Sequence, residues 1–406
     1  MSNKKKIVYV EANEDGTIGG SHYCLLEIVK EIDRSKFEPV VCFYQDNDLV
    51  SEFRKHASVL FLTNPRGISF KLAFPRLYQI FNVSRFSSIL FQFCQKAYNL
   101  LRFEFVFYLN VVRFVIKYKI DIIHINNAPI LSQWLLASKL TATPIVAHVR
   151  GNLNLPKQQR KLVPKYDRII AISDAVTQYA ENHGIDTGKF FTIYDGIDVN
   201  AVRSLQKANS SDIRSEFGII DDQRVVGVVG NIKDWKGQHV LVEAIDLLKE
   251  KYPDVICLIV GDVSDLPEDK AYYQKIKSLI EKRELEKRVI FTGYRSDIPD
   301  IISILDVMVH TSTEPEPLGR VVLEGMLFAK PVIATAHGGP VEIIEDNISG
   351  ILVKPSDPAV LADKISQIFD NEDFRNSLCN AAVKRVDKKF SIESNVRSIE
   401  AQYEGL

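Results

Sequence analysis

Val307–Gly325 reads VMVHTSTEPEPLGRVVLEG. A short apolar run, Val307–Thr311, gives way to a loop that carries Glu316. A Pro-Leu-Gly break follows, and a helix is expected to begin near Leu318–Gly319. Strand, loop and helix in that order make half of a βαβ unit. A second carboxylate, Glu324, lies about two turns inside the helix.

The same unit recurs. Strand-length apolar runs lie at Ile7–Val10, Val40–Phe43, Val59–Leu62, Ile122–Ile125, Ile145–His148 and Ile169–Ile172. A second series lies at Val225–Val229, Val255–Val260, Val289–Thr292, Val307–Thr311, Val332–Thr335 and Ile351–Val353. They are short, β-branched and mostly uninterrupted, as strands buried on both faces of a parallel sheet are. Helix-like sequence follows each, which implies an α/β fold. A polar, poorly periodic joint at Asn200–Asp212 divides the two series. The expectation is two doubly wound domains, 1–200 and 201–390, facing each other across a cleft. A C-terminal helix at about 391–406 is expected to pack back on the first. Ligands of such sheets bind beyond the C-terminal strand ends.

A chain of 406 residues is too long for one ordinary core and suits two domains. Its apolar and charged fractions, 46% and 25%, are those of a soluble globular protein. A formal net charge of -1 argues against a general nucleic-acid binder, which needs a basic excess. Cys24, Cys42, Cys94, Cys257 and Cys379 are widely spaced, with no C-x-x-C pair. Reduced thiols and a cytoplasmic location are the plain reading. The apolar stretch after the first lysines is short, a first strand instead of a signal peptide.

Residues 68–119 break the rhythm. They are rich in aromatics, among them Phe70, Tyr78, Phe91, Phe103 and Phe114, and in bases, among them Lys71, Arg85, Arg102, Arg113 and Lys117. Glu104 is the single acid. No uncharged apolar run reaches the ~20 residues that span a bilayer. Tyr98–Tyr118 reads as a helix with a narrow polar stripe. Basic charge with exposed aromatics suits an anionic membrane surface. The plainer reading is a helical insertion packed on the first domain.

Glu316 and Glu324 would stand on the order of 10 Å apart at ~1.5 Å rise per residue. That is too far to share a proton. It suits one elongated ligand gripped at two hydroxyl-bearing ends, with its negative centre over the helix start. A nucleotide sugar has that layout, and carboxylates accept strong hydrogen bonds from sugar hydroxyls. The plainer reading is a solvated loop acid and a capped or paired helix acid. Lys236 follows a strand end and can face a leaving phosphate. Gly19 and Gly20 allow a tight loop after the first strand, and Gly338 and Gly339 would let the backbone approach a ligand.

The stretch from Glu316 to Glu324 resembles the E-x7-E signature of the family 4 retaining glycosyltransferases, also called group 1. Other parts are similar in order and spacing: GVVGNIKDWKGQHVLVEAI (Gly227–Ile245), FTGYRSDIPDIISILDVMVHTS, AHGGPVEII (Ala336–Ile344) and IGGSHYCLLEIVKEI. The resemblance covers nearly the whole chain. It implies the GT-B fold, two Rossmann-like domains, with the nucleotide sugar held by the second. It also implies sugar transfer that retains anomeric configuration. It places Glu316 near the donor sugar, Glu324 on the ribose, Lys236 on the phosphates, and Tyr294 and Arg295 beside the base, largely through their backbone, with a solvated loop charge the alternative for Arg295. Pro317, Leu318, Gly319 and Arg320 fall among the substrate-binding positions.

Two departures stand out. Asn231 occupies the place where members commonly have an arginine, so one phosphate cation is missing; Lys233, Arg320 or a first-domain arginine is the candidate substitute. In DIIHINN, His124 matches the first histidine of an H-x-H and Asn126 replaces the second. His124 is therefore either the catalytic histidine or a core histidine, as His148 is. Asn126 and Arg150 are the first-domain groups expected to touch substrate. No cofactor and no essential metal are expected, since the Asp-x-Asp at Asp46–Asp48 lies in a short loop. The expected partners are a nucleotide-sugar donor, a glycan or lipid-linked acceptor in bacterial surface polysaccharide assembly, and the inner membrane surface. An epimerase of the same fold and a non-catalytic binding module are the rivals. A nicotinamide dehydrogenase fits less well, because the first strand leads to EANEDGTIGG instead of G-x-G-x-x-G.

Overall fold

The computed structural model describes residues 4–13, 18–62, 105–127, 131–204, 206 and 209–406. The expected insertion between 68 and 104, and Cys94 with it, lies outside the described residues. The chain forms two compact units. One comprises Met1–Ala171, Ala180–Phe191 and Ile399–Leu406; the other comprises Ile172–Tyr179 and Thr192–Ser398. The second unit thus begins ahead of the joint expected at 200–212. Ile197 pairs with Ser391 by a parallel bridge, which ties that stretch to the second unit.

The first unit is built on a seven-stranded sheet: β1 (Lys5–Glu11), β2 (Phe37–Phe43), β3 (Ser58–Phe61), β4 (Ile122–Asn126), β5 (Ile145–Val149), β6 (Arg168–Ala171) and β7 (Phe190–Thr192). Its order is β3-β2-β1-β4-β5-β6-β7. β1 pairs in parallel with β2 on one side and β4 on the other, and Ile7–Val10 are wholly buried. Helices α1 (Gly20–Glu31), α2 (Phe105–Tyr118) and α3 (Ser132–Thr141) flank it. In α2 the buried residues are Phe107, Val111, Phe114 and Val115, one face of a 3.6-residue period. Its outer face carries Phe105, Val106, Leu109 and Ile116 beside Arg113 and Lys117, all exposed.

The second unit carries a six-stranded sheet: β8 (Val225–Val229), β9 (Ile256–Val260), β10 (Val289–Gly293), β11 (Val307–His310), β12 (Val332–Thr335) and β13 (Ile351–Val353). Its order is β10-β9-β8-β11-β12-β13. Helix α4 (Gln238–Leu248) buries Val240, Leu241, Val242, Ala244, Ile245 and Leu248 in the sheet's core. Helices α5 (Arg320–Leu327) and α6 (Pro340–Ile343) follow the loops after β11 and β12. The last helix, α7 (Ile392–Glu404), ends in the first unit. There Tyr403 is fully buried, Lys36 pairs with Glu404 at 2.8 Å, and Arg168 donates to Gln402 at 2.8 Å. All registered strand pairs are parallel, so both domains are doubly wound as expected.

Candidate active site

In the second unit the strand order reverses between β8 and β11, where ligand crevices of such sheets form. The loop after β8 brings Lys236 there. β11 ends at His310, and the loop beyond it brings Ser312 and Glu316. Lys236 Nζ donates to Glu316 Oε2 at 2.6 Å. Ser312 Oγ reaches the same oxygen at 3.2 Å and His310 Nε2 at 3.3 Å. Lys236 also lies over the Trp235 ring, 4.3 Å from its centroid. Burial pushes the Glu316 carboxyl up, but the His310 hydrogen bond and the Lys236 charge outweigh it and hold it at about 2. Glu316 is therefore an anion at any ordinary pH. His310 and Ser312 were not singled out from sequence; their place at the end of the strand before Glu316 was the available signal.

Gly338 and Gly339 pack against the loop that carries Glu316. A Cβ on Gly338 would lie 2.2 Å from the Glu316 carbonyl oxygen, and one on Gly339 would lie 2.3 Å from Leu318 Cα. Gly339 N donates to the Glu316 carbonyl at 2.8 Å. The approach of the Glu316–Leu318 backbone by itself requires glycine at both positions. The two loops thus fix each other. Gly319 turns the loop into α5 with φ 91°. Leu318 is buried, so it can offer a ligand only its backbone. Arg320 Nε stands 3.6 Å from Glu324 Oε1, one turn along α5.

The Arg295 side chain has carboxylate partners of its own. Its guanidinium binds Glu216 through both Nη atoms and Asp297 at 2.6 and 2.8 Å. It clamps the loop after β10 to the segment before β8, while Tyr294 is 74% exposed. Asn231 is exposed, and its carbonyl accepts from Gln238 at 3.0 Å.

In the first unit the order reverses between β1 and β4. Glu11 ends β1 and Asn126 ends β4. Asn126 Nδ2 donates to Glu11 Oε2 at 2.7 Å, and Arg150 Nε donates to Asn126 Oδ1 at 3.1 Å. Asn126, expected to touch substrate, is wholly buried with both ends of its amide engaged. It positions Arg150. His22 Nε2 is 3.9 Å from Glu11 Oε1, and burial raises the Glu11 carboxyl against the pull of Asn126. Glu11 and His22 escaped the sequence reading, although Glu11 closes the first strand. Gly19, just ahead of α1, and Gly20, its first residue, are exposed, with open space where a Cβ would stand.

His124, expected either as the catalytic histidine or as a core one, lies in the core of the first unit. It is fully buried, and its Nδ1 hydrogen-bonds the Tyr403 hydroxyl at 2.6 Å. Burial and the nearby Arg150 drop its pKa to about 3, so it stays neutral. His148 is buried beside it and shifted the same way. Asp46 and Asp48 are exposed. Among the described residues no cluster of His, Cys, Asp and Glu could hold a metal ion, and no helix is long and apolar enough to cross a membrane.

Most of the sequence matches two glycosyltransferase families, one in each half. Residues 18–201 match "Glycosyltransferase Family 4", and residues 209–385 match "Glycosyl transferases group 1". The chain belongs to this group and is a glycosyltransferase of GT-B fold. It is similar to the D-inositol 3-phosphate glycosyltransferase of Corynebacterium urealyticum, 26% identical over 61% of this chain and 59% of that one. It is 25% identical to the lipopolysaccharide core biosynthesis mannosyltransferase LpsB of Rhizobium meliloti, over 60% of this chain and 67% of that one. The structure of Anabaena HepE in complex with UDP and glucose superposes with a TM-score of 0.77. It is 26% identical, covering 99% of this chain and 100% of HepE.

Proposed function

We propose that the chain transfers a sugar from a nucleotide-sugar donor to a hydroxyl of a glycan or lipid-linked acceptor, with retention of anomeric configuration. The observation that carries this reading is the Lys236–Glu316 pair at the second sheet's point of reversal, beside the start of α5. The anomeric carbon loses its bond to the diphosphate oxygen, which keeps the electron pair. The acceptor oxygen bonds to that carbon on the same face. Its proton passes to the departing phosphate. Lys236 and the first amides of α5 stabilise the charge on the diphosphate. Glu316 orients the sugar, Glu324 takes the ribose, and no metal is required.

HepE's complex with UDP and glucose supports a uridine nucleotide as donor. LpsB supports a role in surface polysaccharide assembly. The outer face of α2, apolar with Arg113 and Lys117 beside it, fits work at the cytoplasmic face of an anionic membrane. The test is a panel of UDP-, GDP-, ADP- and dTDP-sugars with lipid-linked saccharide acceptors, with and without EDTA. Product linkages are read by NMR. One donor should be used, with retention and in EDTA. Failure of every donor, inversion, or loss of turnover in EDTA would refute the corresponding part.

A further inference from the structure

Three donors converge on Oε2 of Glu316, and they differ in kind. His310 is 3% exposed at the end of β11, and Ser312 is fully buried. Both are set by the fold. His310 Nδ1 is buried without a hydrogen-bond partner, and Nε2, facing Glu316, is the donor nitrogen. Lys236 is the third donor, carried on a long, rotatable lysine stem. Its ammonium reaches Oε2 and also lies over the Trp235 ring, from a loop that carries it past the end of β8. One ammonium cannot serve a carboxylate and a diphosphate equally well, because its charge is spent on whichever is closer.

Resting on the transferase reading of this site, we infer that Lys236 changes partners in each turnover. It leaves Glu316 for the donor diphosphate, and His310 and Ser312 keep the carboxylate in place while it is away. After transfer, Glu316 competes for Lys236 with the nucleoside diphosphate and so hastens its release. Glu316 thereby both orients the sugar and limits how tightly the spent nucleotide is held. His310 and Ser312 are positioning residues that act through Glu316.

Inorganic pyrophosphate titrated calorimetrically into the full chain tests the exchange without a donor of known identity. Glu316→Gln should bind pyrophosphate about fivefold or more tightly than the wild type, the usual size of a coupling between sites. Lys236→Met should bind weakly, and Glu316→Gln in the Lys236→Met background should regain nothing. Glu314→Gln removes an exposed charge from the same loop and should change binding less than twofold. The exchange is overturned if Glu316→Gln gains no affinity, or gains as much without Lys236.

The positioning role is read in turnover of the donor the panel identifies, and in the His310 ring tautomer by NMR. His310→Ala should lower kcat by about 10- to 100-fold with little change in KM. His310→Asn, which keeps an N–H donor, should recover most of that loss. A proton on Nδ1 instead of Nε2, or equal loss in both variants at unchanged melting temperature, would refute it. Transfer failing with every donor while the pyrophosphate series behaves as described would sink the transferase reading and leave the exchange standing.

Discussion

Gly338 and Glu316 touch backbone to backbone: a Cβ on Gly338 would stand 2.2 Å from the Glu316 carbonyl oxygen. Gly338 also has φ +76°, a conformation other residues rarely adopt. Gly338→Ala must therefore displace the loop that carries Glu316. A loss of at least about 2 kcal/mol in stability is expected, with transfer reduced by more than the unfolded fraction explains. Denaturant titration and initial rates on the same preparation check both.

Gly20 is the contrasting case. A Cβ there meets nothing within 4 Å, and the position opens α1. Gly20→Ala should leave stability unchanged or raise it by about 0.5 kcal/mol. If substrate passes over this helix start, the same change raises KM. An unchanged KM would remove Gly20 from the binding surface.

Glu316 has a pH signature. Its folded pKa of about 2 lies below the ordinary 4.5, so its contribution to stability is full above about pH 4.5. It is lost as the pH falls through 2. The stability difference between wild type and Glu316→Gln should shrink over that window and be flat above it. Urea unfolding at a series of pH values measures it.

His124 titrates in a different window. Burial keeps it neutral in the folded chain down to about pH 3, whereas the unfolded chain takes up the proton near 6.5. Stability is therefore full above about 6.5 and declines as the pH falls toward 3. His124→Gln should flatten part of that decline, His148 supplying the rest. Turnover measured at neutral pH should show no inflection assignable to His124.

Arg295 should matter to folding more than to chemistry. Its guanidinium joins Glu216 and Asp297 at partly exposed positions. Arg295→Gln should cost about 1 kcal/mol and leave KM for the donor within a factor of two. A large KM effect would return Arg295 to the base-binding site.

What the sequence showed and what it hid have physical causes. Strands buried on both faces appear as uninterrupted apolar runs; these, and the half-exposed but apolar β3, made twelve of the thirteen strands among the described residues legible. β7, three half-exposed edge residues, has no such signature. Lys236 and Glu316 could be assigned to one site, but not to each other, because they are 80 positions apart. The depth of Asn126 and His124 was hidden, because β4 lies between β1 and β5 with every residue buried. Position along a strand does not reveal depth. Arg295's partner Glu216 lies 79 positions away, beyond any local pattern.

Tyr9 meets Tyr403 hydroxyl to hydroxyl at 3.3 Å, across 394 positions of chain. During synthesis the first sheet's β1 must therefore wait through the 394 positions that follow Tyr9 before its buried tyrosine and His124 gain their partner. The second unit also closes late, at Ser398, but it begins only at Ile172, so it waits over a shorter stretch. The nascent first domain is the piece left incomplete at the ribosome, and the piece for which a chaperone has most to shield.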